Sequence, residues 1–234
     1  MKEYFSNLKQ KMTAIAGRLK LKQIFALLVK VYNKFFSLIN RMGAYLAKIG
    51  IKANIISWTG FIIGIFAINF VAMEMYGWAL SAILLNRLCD ALDGAVARHS
   101  KPNDFGVFLD ASLDYIFYGG VIFGFALANP AANALAAAFL LFGFASAACT
   151  MLAYSVIAYK NSAAKHPNLH QSPFYLGGLA QGSETLIALV ILCLVPRLFG
   201  VVALVLGALS LLKAFSVIVA AYYSFVIAPY KKTK

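Results

Sequence analysis

Residues 90–114 read DALDGAVARHSKPNDFGVFLDASLD, and this stretch holds all five aspartates of the chain: Asp90, Asp93, Asp104, Asp110 and Asp114. Outside it the acidic residues are Glu3, Glu74 and Glu184. Apolar helical sequence lies on both sides. An ionised aspartate at the centre of a bilayer costs roughly 3 kcal/mol on insertion scales. Four of them side by side would also repel one another. Carboxylates packed this way against membrane-like sequence need a compensating charge, and a bound divalent cation supplies one.

The surrounding composition sets the context. The chain has 234 residues, of which 62% are hydrophobic and 12% charged, whereas soluble domains sit near 45–50% apolar. A polytopic, all-α integral membrane protein is expected. The net charge of +13 would point to nucleic acid in a soluble protein. Here the basic residues collect at the termini and in short loops, a pattern of membrane topology and anionic headgroups, so no nucleic-acid partner is expected. Cys89, Cys149 and Cys193 lie far apart in apolar runs with no paired spacing. His99, His166 and His170 lack metal-ligand spacing.

Working outward from the aspartates, the apolar pattern predicts six spans. They run over about residues 52–75, 77–98, 107–127, 132–159, 184–196 and 198–227, with Asn129-Pro130 breaking the third from the fourth. The fifth is short for a span. Before them lies a segment, residues 1–50, that lacks the apolar core and cleavage site of a secretory signal. From Ile24 to Ile49 its apolar residues recur at helical spacing, interleaved with Lys30, Lys34, Arg41 and Lys48. That is the pattern of a basic amphipathic helix lying in the membrane interface. Two regions follow: an interfacial segment, 1–50, and a six-span domain, 51–234. The Lys and Arg distribution places both termini and the turn within the aspartate stretch on the cytoplasmic side, in the cell (inner) membrane.

Asp90, Asp93, Gly94 and Ala97 share one helix face, and Asp110 and Asp114 share a face of the next helix. The turn HSKPNDFG between them makes a hairpin, so the two carboxylate pairs can meet. All-oxygen ligation suits Mg²⁺ or Mn²⁺. Gly94 and Ala97 leave room beside the carboxylates, and Arg98 adds a planar fork suited to phosphate. Metal, arginine and open space together suggest phosphoryl chemistry, with one carboxylate as general base. The same aspartates would also suit a divalent metal-ion channel or transporter, although Gly94, Ala97, Arg98 and Gly106 have no evident part in ion passage.

The spacing Asp90-x2-Asp93-Gly94-x2-Ala97-Arg98-x7-Gly106-x3-Asp110-x3-Asp114 resembles the signature of the CDP-alcohol phosphotransferases, with every fixed position present. Ala53-Asn54-Ile55-Ile56-Ser57 is similar to that family's P-N-x-[LI]-T entry to the first span, with alanine in place of proline. The resemblance covers nearly the whole chain. It implies that Asp90, Asp93, Asp110 and Asp114 bind two divalent ions, and that Asp114 takes the proton of an acceptor hydroxyl. The alkoxide would attack the β-phosphorus of a CDP-linked donor, with CDP-diacylglycerol expected, and CMP would leave. Asn54, Gly94, Arg98 and Asn103 would contact the cytidine diphosphate, and the resemblance also implies a homodimer. Arg87, Lys160 and Lys213 are the basic residues that could meet an anionic acceptor. Lys213 could equally pair with Glu184, and Arg87 with an aspartate.

Overall fold

The computed structural model describes residues 21–100, 103–160 and 182–227. Every element among them is helical. In chain order these are α1 (Leu21–Lys48), α2 (Ala53–Ala72), α3 (Tyr76–His99), α4 (Asp104–Ala128), α5 (Pro130–Lys160), α6 (Gly182–Leu194) and α7 (Phe199–Tyr222). A 3-10 turn, Pro196–Leu198, leads into α7, and a π-helical turn, Tyr223–Ile227, follows it.

The helix ends follow from local chemistry. Gly50 has φ 86°, and α1 closes with Gly50 N–H to Ala47 O (3.1 Å) and Ile51 N–H to Leu46 O (3.0 Å). This is the paired bond set of a helix stopped by a left-handed glycine. Glu74, φ 59°, ends α2 in the same way, with Glu74 N–H on Val71 O and Met75 N–H on Phe70 O. Asn129 Oδ1 accepts the Ala132 N–H at 3.2 Å, and Pro130 opens α5. Proline tolerates the first helical position because its missing N–H would have no intrahelical partner there. The expected break at Asn129-Pro130 is therefore present, reduced to a single residue between two helices.

Among the described residues, four helical segments are long and apolar enough to cross a membrane: Ala53–Ala72, Asp104–Ala128, Pro130–Lys160 and Pro196–Ile227. The chain is a multi-pass membrane protein. The expected second and fifth spans are helices but fall outside that measure. In α3, Arg87, Asp90, Asp93 and Arg98 interrupt the apolar run; α6 has 13 residues. α1 runs through most of the stretch Ile24–Ile49, where an interfacial helix is expected. The segment 1–20 and most of the polar loop that contains His166 and His170 lie outside the described residues.

The chain divides into two compact units. Among the described residues, one draws on those up to Ile63 and on those between Leu84 and Asp114, the other on Gly64–Ile83 and on those from Tyr115 onward. In the first, α1 lies so close to α3 that a Cβ added at Gly43 would sit 2.5 Å from the Ala95 Cβ. Ile39, Ala95 and Val96 are buried there. The apolar residues Phe35, Leu38, Met42 and Tyr45 of α1 remain exposed on another side. In the second unit α5 packs along α7. A Cβ on Gly143 would meet the Gly207 carbonyl oxygen at 2.6 Å, the close backbone approach that small residues give membrane helices. Phe125 stacks on Phe199 at 4.9 Å and on Tyr76 at 6.0 Å. Lys213 of α7 and Glu184 of α6 both belong to this unit and lie near enough for their charges to act on each other.

Candidate active site

The site belongs to the first unit and is built by α2, α3 and α4 with the end of α1. Asp90 and Asp93 stand one helical turn apart on α3, and Asp110 and Asp114 one turn apart on α4. Oxygens of Asp90, Asp110 and Asp114 all come within 4.8 Å of one another. Asp93 is not part of that trio. It is 6% exposed and lines the same small pocket as Ser57 of α2, whose hydroxyl donates to the Ala53 carbonyl at 3.2 Å. The donor set of the trio is entirely carboxylate oxygen, with no nitrogen or sulfur ligand in the group. It fits a hard divalent cation such as Mg²⁺ or Mn²⁺ rather than zinc.

A chain of side-chain bonds leads into the trio. Asn86, buried on α3, donates from Nδ2 to the Gly60 carbonyl of α2 at 2.7 Å. Its Oδ1 accepts from Arg87 Nε (2.9 Å) and Nη2 (2.6 Å). Arg87 Nη2 lies 2.8 Å from Asp114 Oδ1, and Nη1 lies 3.7 Å from Asp90 Oδ2. Of the two sequence-level roles for Arg87, the structure displays the pairing with aspartate. Gly60 is where α2 and α3 touch: a Cβ there would lie 2.8 Å from the Cys89 Cβ.

A cavity of about 720 Å³ adjoins the carboxylates. Asn54, Gly94, Arg98 and Asn103 all line it, as do Lys52, Ala97 and Gly106. The four residues expected from sequence to contact a nucleotide thus line one cavity. A smaller polar pocket holds Arg87 and all four motif aspartates, and Ser57, Asp93 and Asp110 line both spaces. Gly106 has a steric reason to be glycine: a Cβ there would sit 3.2 Å from Asn54 Oδ1. The Arg98 guanidinium is held from α1, with Cζ 5.3 Å from the centre of the Phe36 ring, within the range of a cation–π contact.

Two expectations change in detail. Asn103 also caps α4: its Oδ1 accepts the Phe105 N–H at 2.8 Å, satisfying a donor that the helix itself leaves open. Asp104, part of the turn HSKPNDFG in the sequence reading, is the first residue of α4, where a negative charge suits the helix N-terminus. Lys160, exposed at the end of α5, and Lys213 of α7 belong to the second unit. Sequence reading missed Phe36, Lys52 and Gly60. Gly60 carried a faint signal, a small residue one turn beyond Ser57 on the same face. Phe36 carried none, because its contact depends on how α1 meets α3.

Comparison with known proteins gives a consistent picture. The family described as CDP-alcohol phosphatidyltransferase matches residues 51–226. The chain is 44% identical to the inner membrane protein YnjF of Escherichia coli (strain K12) over 171 residues, 73% of this chain and 83% of that protein. It is 36% identical over 106 residues to the archaetidylinositol phosphate synthase of Pyrococcus horikoshii, covering 43% of this chain and 54% of that one. In fold it is similar to the crystal structure of Mycobacterium tuberculosis phosphatidylinositol phosphate synthase (PgsA1) with CDP-DAG bound. The TM-score is 0.63 at 18% identity, covering 82% of this chain and 97% of that one.

Proposed function

Because the chain belongs to the CDP-alcohol phosphatidyltransferase family, we propose that it moves a phosphatidyl group from CDP-diacylglycerol to the hydroxyl of an alcohol acceptor, releasing CMP. The observation that carries this reading is the shared wall of the two spaces. Ser57, Asp93 and Asp110 line both the pocket of carboxylates and the cavity bordered by Asn54, Gly94, Arg98 and Asn103. A diphosphate in that cavity would reach the carboxylates with its phosphates while its nucleoside stayed outside them.

Asp90, Asp93, Asp110 and Asp114 are proposed to hold two divalent ions, Mg²⁺ or Mn²⁺, which when bound neutralise the diphosphate and make its bridging bond easier to break. The remaining roles fall to the chain's own groups. Arg98, steadied by Phe36, gives a two-pronged donor to a phosphate. Asn54 and Asn103 offer amide donors and acceptors to the nucleotide, and Gly94 keeps the wall low beneath it. Asp114 accepts the proton of the acceptor hydroxyl as that oxygen bonds to the β-phosphorus. The bond from that phosphorus to the CMP oxygen breaks, and CMP departs with the electron pair.

We place six spans in the membrane, counting α3 and α6, with both termini and the site on the cytoplasmic side. The exposed Phe35, Leu38, Met42 and Tyr45 of α1 support an interfacial position for that helix. The reading of the aspartates as an ion path finds no support in the family match.

The test is CMP release by the purified protein from CDP-diacylglycerol with Mg²⁺ or Mn²⁺ and a panel of alcohols: glycerol 3-phosphate, serine, inositol phosphate and choline. Asp114→Asn should lower turnover by about 10²-fold or more. Full turnover in that variant would overturn the base assignment. Metal flux in proteoliposomes without CMP release would overturn the transferase.

A further inference from the structure

We propose that Arg87 is a positioning residue for Asp114, and that its guanidinium supplies a fixed positive charge that the carboxylate cluster would otherwise take from bound cation. The inference rests on the reading of Asp114 as the proton acceptor. Its geometry is independent of the nucleotide and of the acceptor's identity.

The Arg87 side chain is 12% exposed, against 36% for that of Asp114. An arginine kept for solubility or topology would point its head to water. Here Nε and Nη2 both bond Asn86 Oδ1, which leaves the fork little rotational freedom. Asn86 is 4% exposed and is itself tied to the Gly60 carbonyl. The relay Gly60–Asn86–Arg87–Asp114 therefore fixes one carboxylate oxygen of an α4 residue from the α2 and α3 backbones. A second oxygen of Asp114 is then presented in one direction, as a base needs. Exposed ion pairs are ordinarily weak because both partners must be ordered at entropic cost. Here that ordering is already provided by Asn86.

The charge has a separate consequence. Three carboxylates within 4.8 Å repel one another, and Arg87 contacts two of them, Asp114 and Asp90. Its positive charge lowers the attraction of the cluster for a divalent ion and occupies one side of Asp114. Removing it should therefore tighten ion binding while slowing turnover. Loss of a merely structural arginine would weaken both.

Wild-type protein, Arg87→Gln and Arg87→Lys would be compared in detergent micelles. Mn²⁺ binding is read from the electron paramagnetic resonance signal of free Mn²⁺, and CMP release from CDP-diacylglycerol is measured at saturating metal. Arg87→Gln should bind Mn²⁺ about tenfold more tightly. Its kcat should fall by about 10², with KM for the CDP donor within about twofold of wild type. Arg87→Lys keeps the charge and loses the fork, so its Mn²⁺ affinity should match wild type while kcat recovers part of the loss. Equal or weaker Mn²⁺ binding by Arg87→Gln, or an unchanged kcat, overturns the proposal. If wild-type protein releases no CMP, the transferase reading fails, and the Mn²⁺ affinities alone decide for or against Arg87's charge role. Should Arg87→Gln not fold, Arg87→Met carries the same expectations.

Discussion

Adding one methyl group at Gly43 would strain the contact on which Arg98 depends. The new Cβ would stand 2.5 Å from the Ala95 Cβ, 2.7 Å from the Ala95 carbonyl carbon and 3.0 Å from the Val96 nitrogen. Two of these are backbone atoms of α3 and cannot rotate away. An ordinary carbon–carbon contact is about 3.8 Å, so α1 must back off by about 1.3 Å. Overpacking of this kind typically costs about 1–3 kcal/mol. The same shift carries Phe36, two turns earlier on α1, away from the Arg98 guanidinium. The present 5.3 Å to the ring centre would pass the limit of about 6 Å for a cation–π contact. Such a contact is worth about 0.5–1 kcal/mol at a partly exposed site, equivalent to about a two- to fivefold rise in KM for the CDP donor. Thermal unfolding in detergent and CMP-release kinetics on Gly43→Ala would read the two effects. Gly77→Ala is the control, since nothing lies within 4 Å of its added Cβ. An unfolding temperature and KM for Gly43→Ala equal to those of the control would refute both the helix contact and its link to Arg98.

Other expectations follow from the same geometry. Gly106→Ala presses a methyl to 3.2 Å from Asn54 Oδ1. It should raise KM for the CDP donor about threefold while moving the unfolding temperature little, read by kinetics and thermal melts together. Gly143→Leu drives a side chain against the Gly207 backbone in α7. It should cost about 3 kcal/mol or more, seen as a drop in unfolding temperature. Mn²⁺ affinity of the folded fraction should stay near wild type, because no metal-site residue lies at that contact.

Much of the site was legible because its chemistry is written at fixed helical spacings. Asp90 with Asp93, and Asp110 with Asp114, had to share faces once the segments were helical, and the turn between them was short enough to bring the faces together. Asn129-Pro130 likewise declared its break through local backbone chemistry. The span count was less legible. Charged residues that face a site remove α3 from any measure based on apolar length, since hydropathy does not record which way a side chain points. The paired functions of Asn103 depend on backbone geometry at the start of α4, which spacing alone does not specify. Phe36, Gly43 and Gly60 act through contacts between elements distant in sequence, and no periodicity of a single helix reveals its partner.

The hairpin of α3 and α4 has a bearing on how the protein is made. Arg87 and every motif aspartate lie between positions 87 and 114, joined by a short turn, so the carboxylates and the arginine that pairs with them are close in sequence. Short loops close at little entropic cost and on fast timescales. As the chain emerges from the ribosome, this hairpin can pair its opposite charges before the later helices are synthesised. Arg87 would then accompany the aspartates through insertion, so that the carboxylates need not enter the bilayer without a counter-charge.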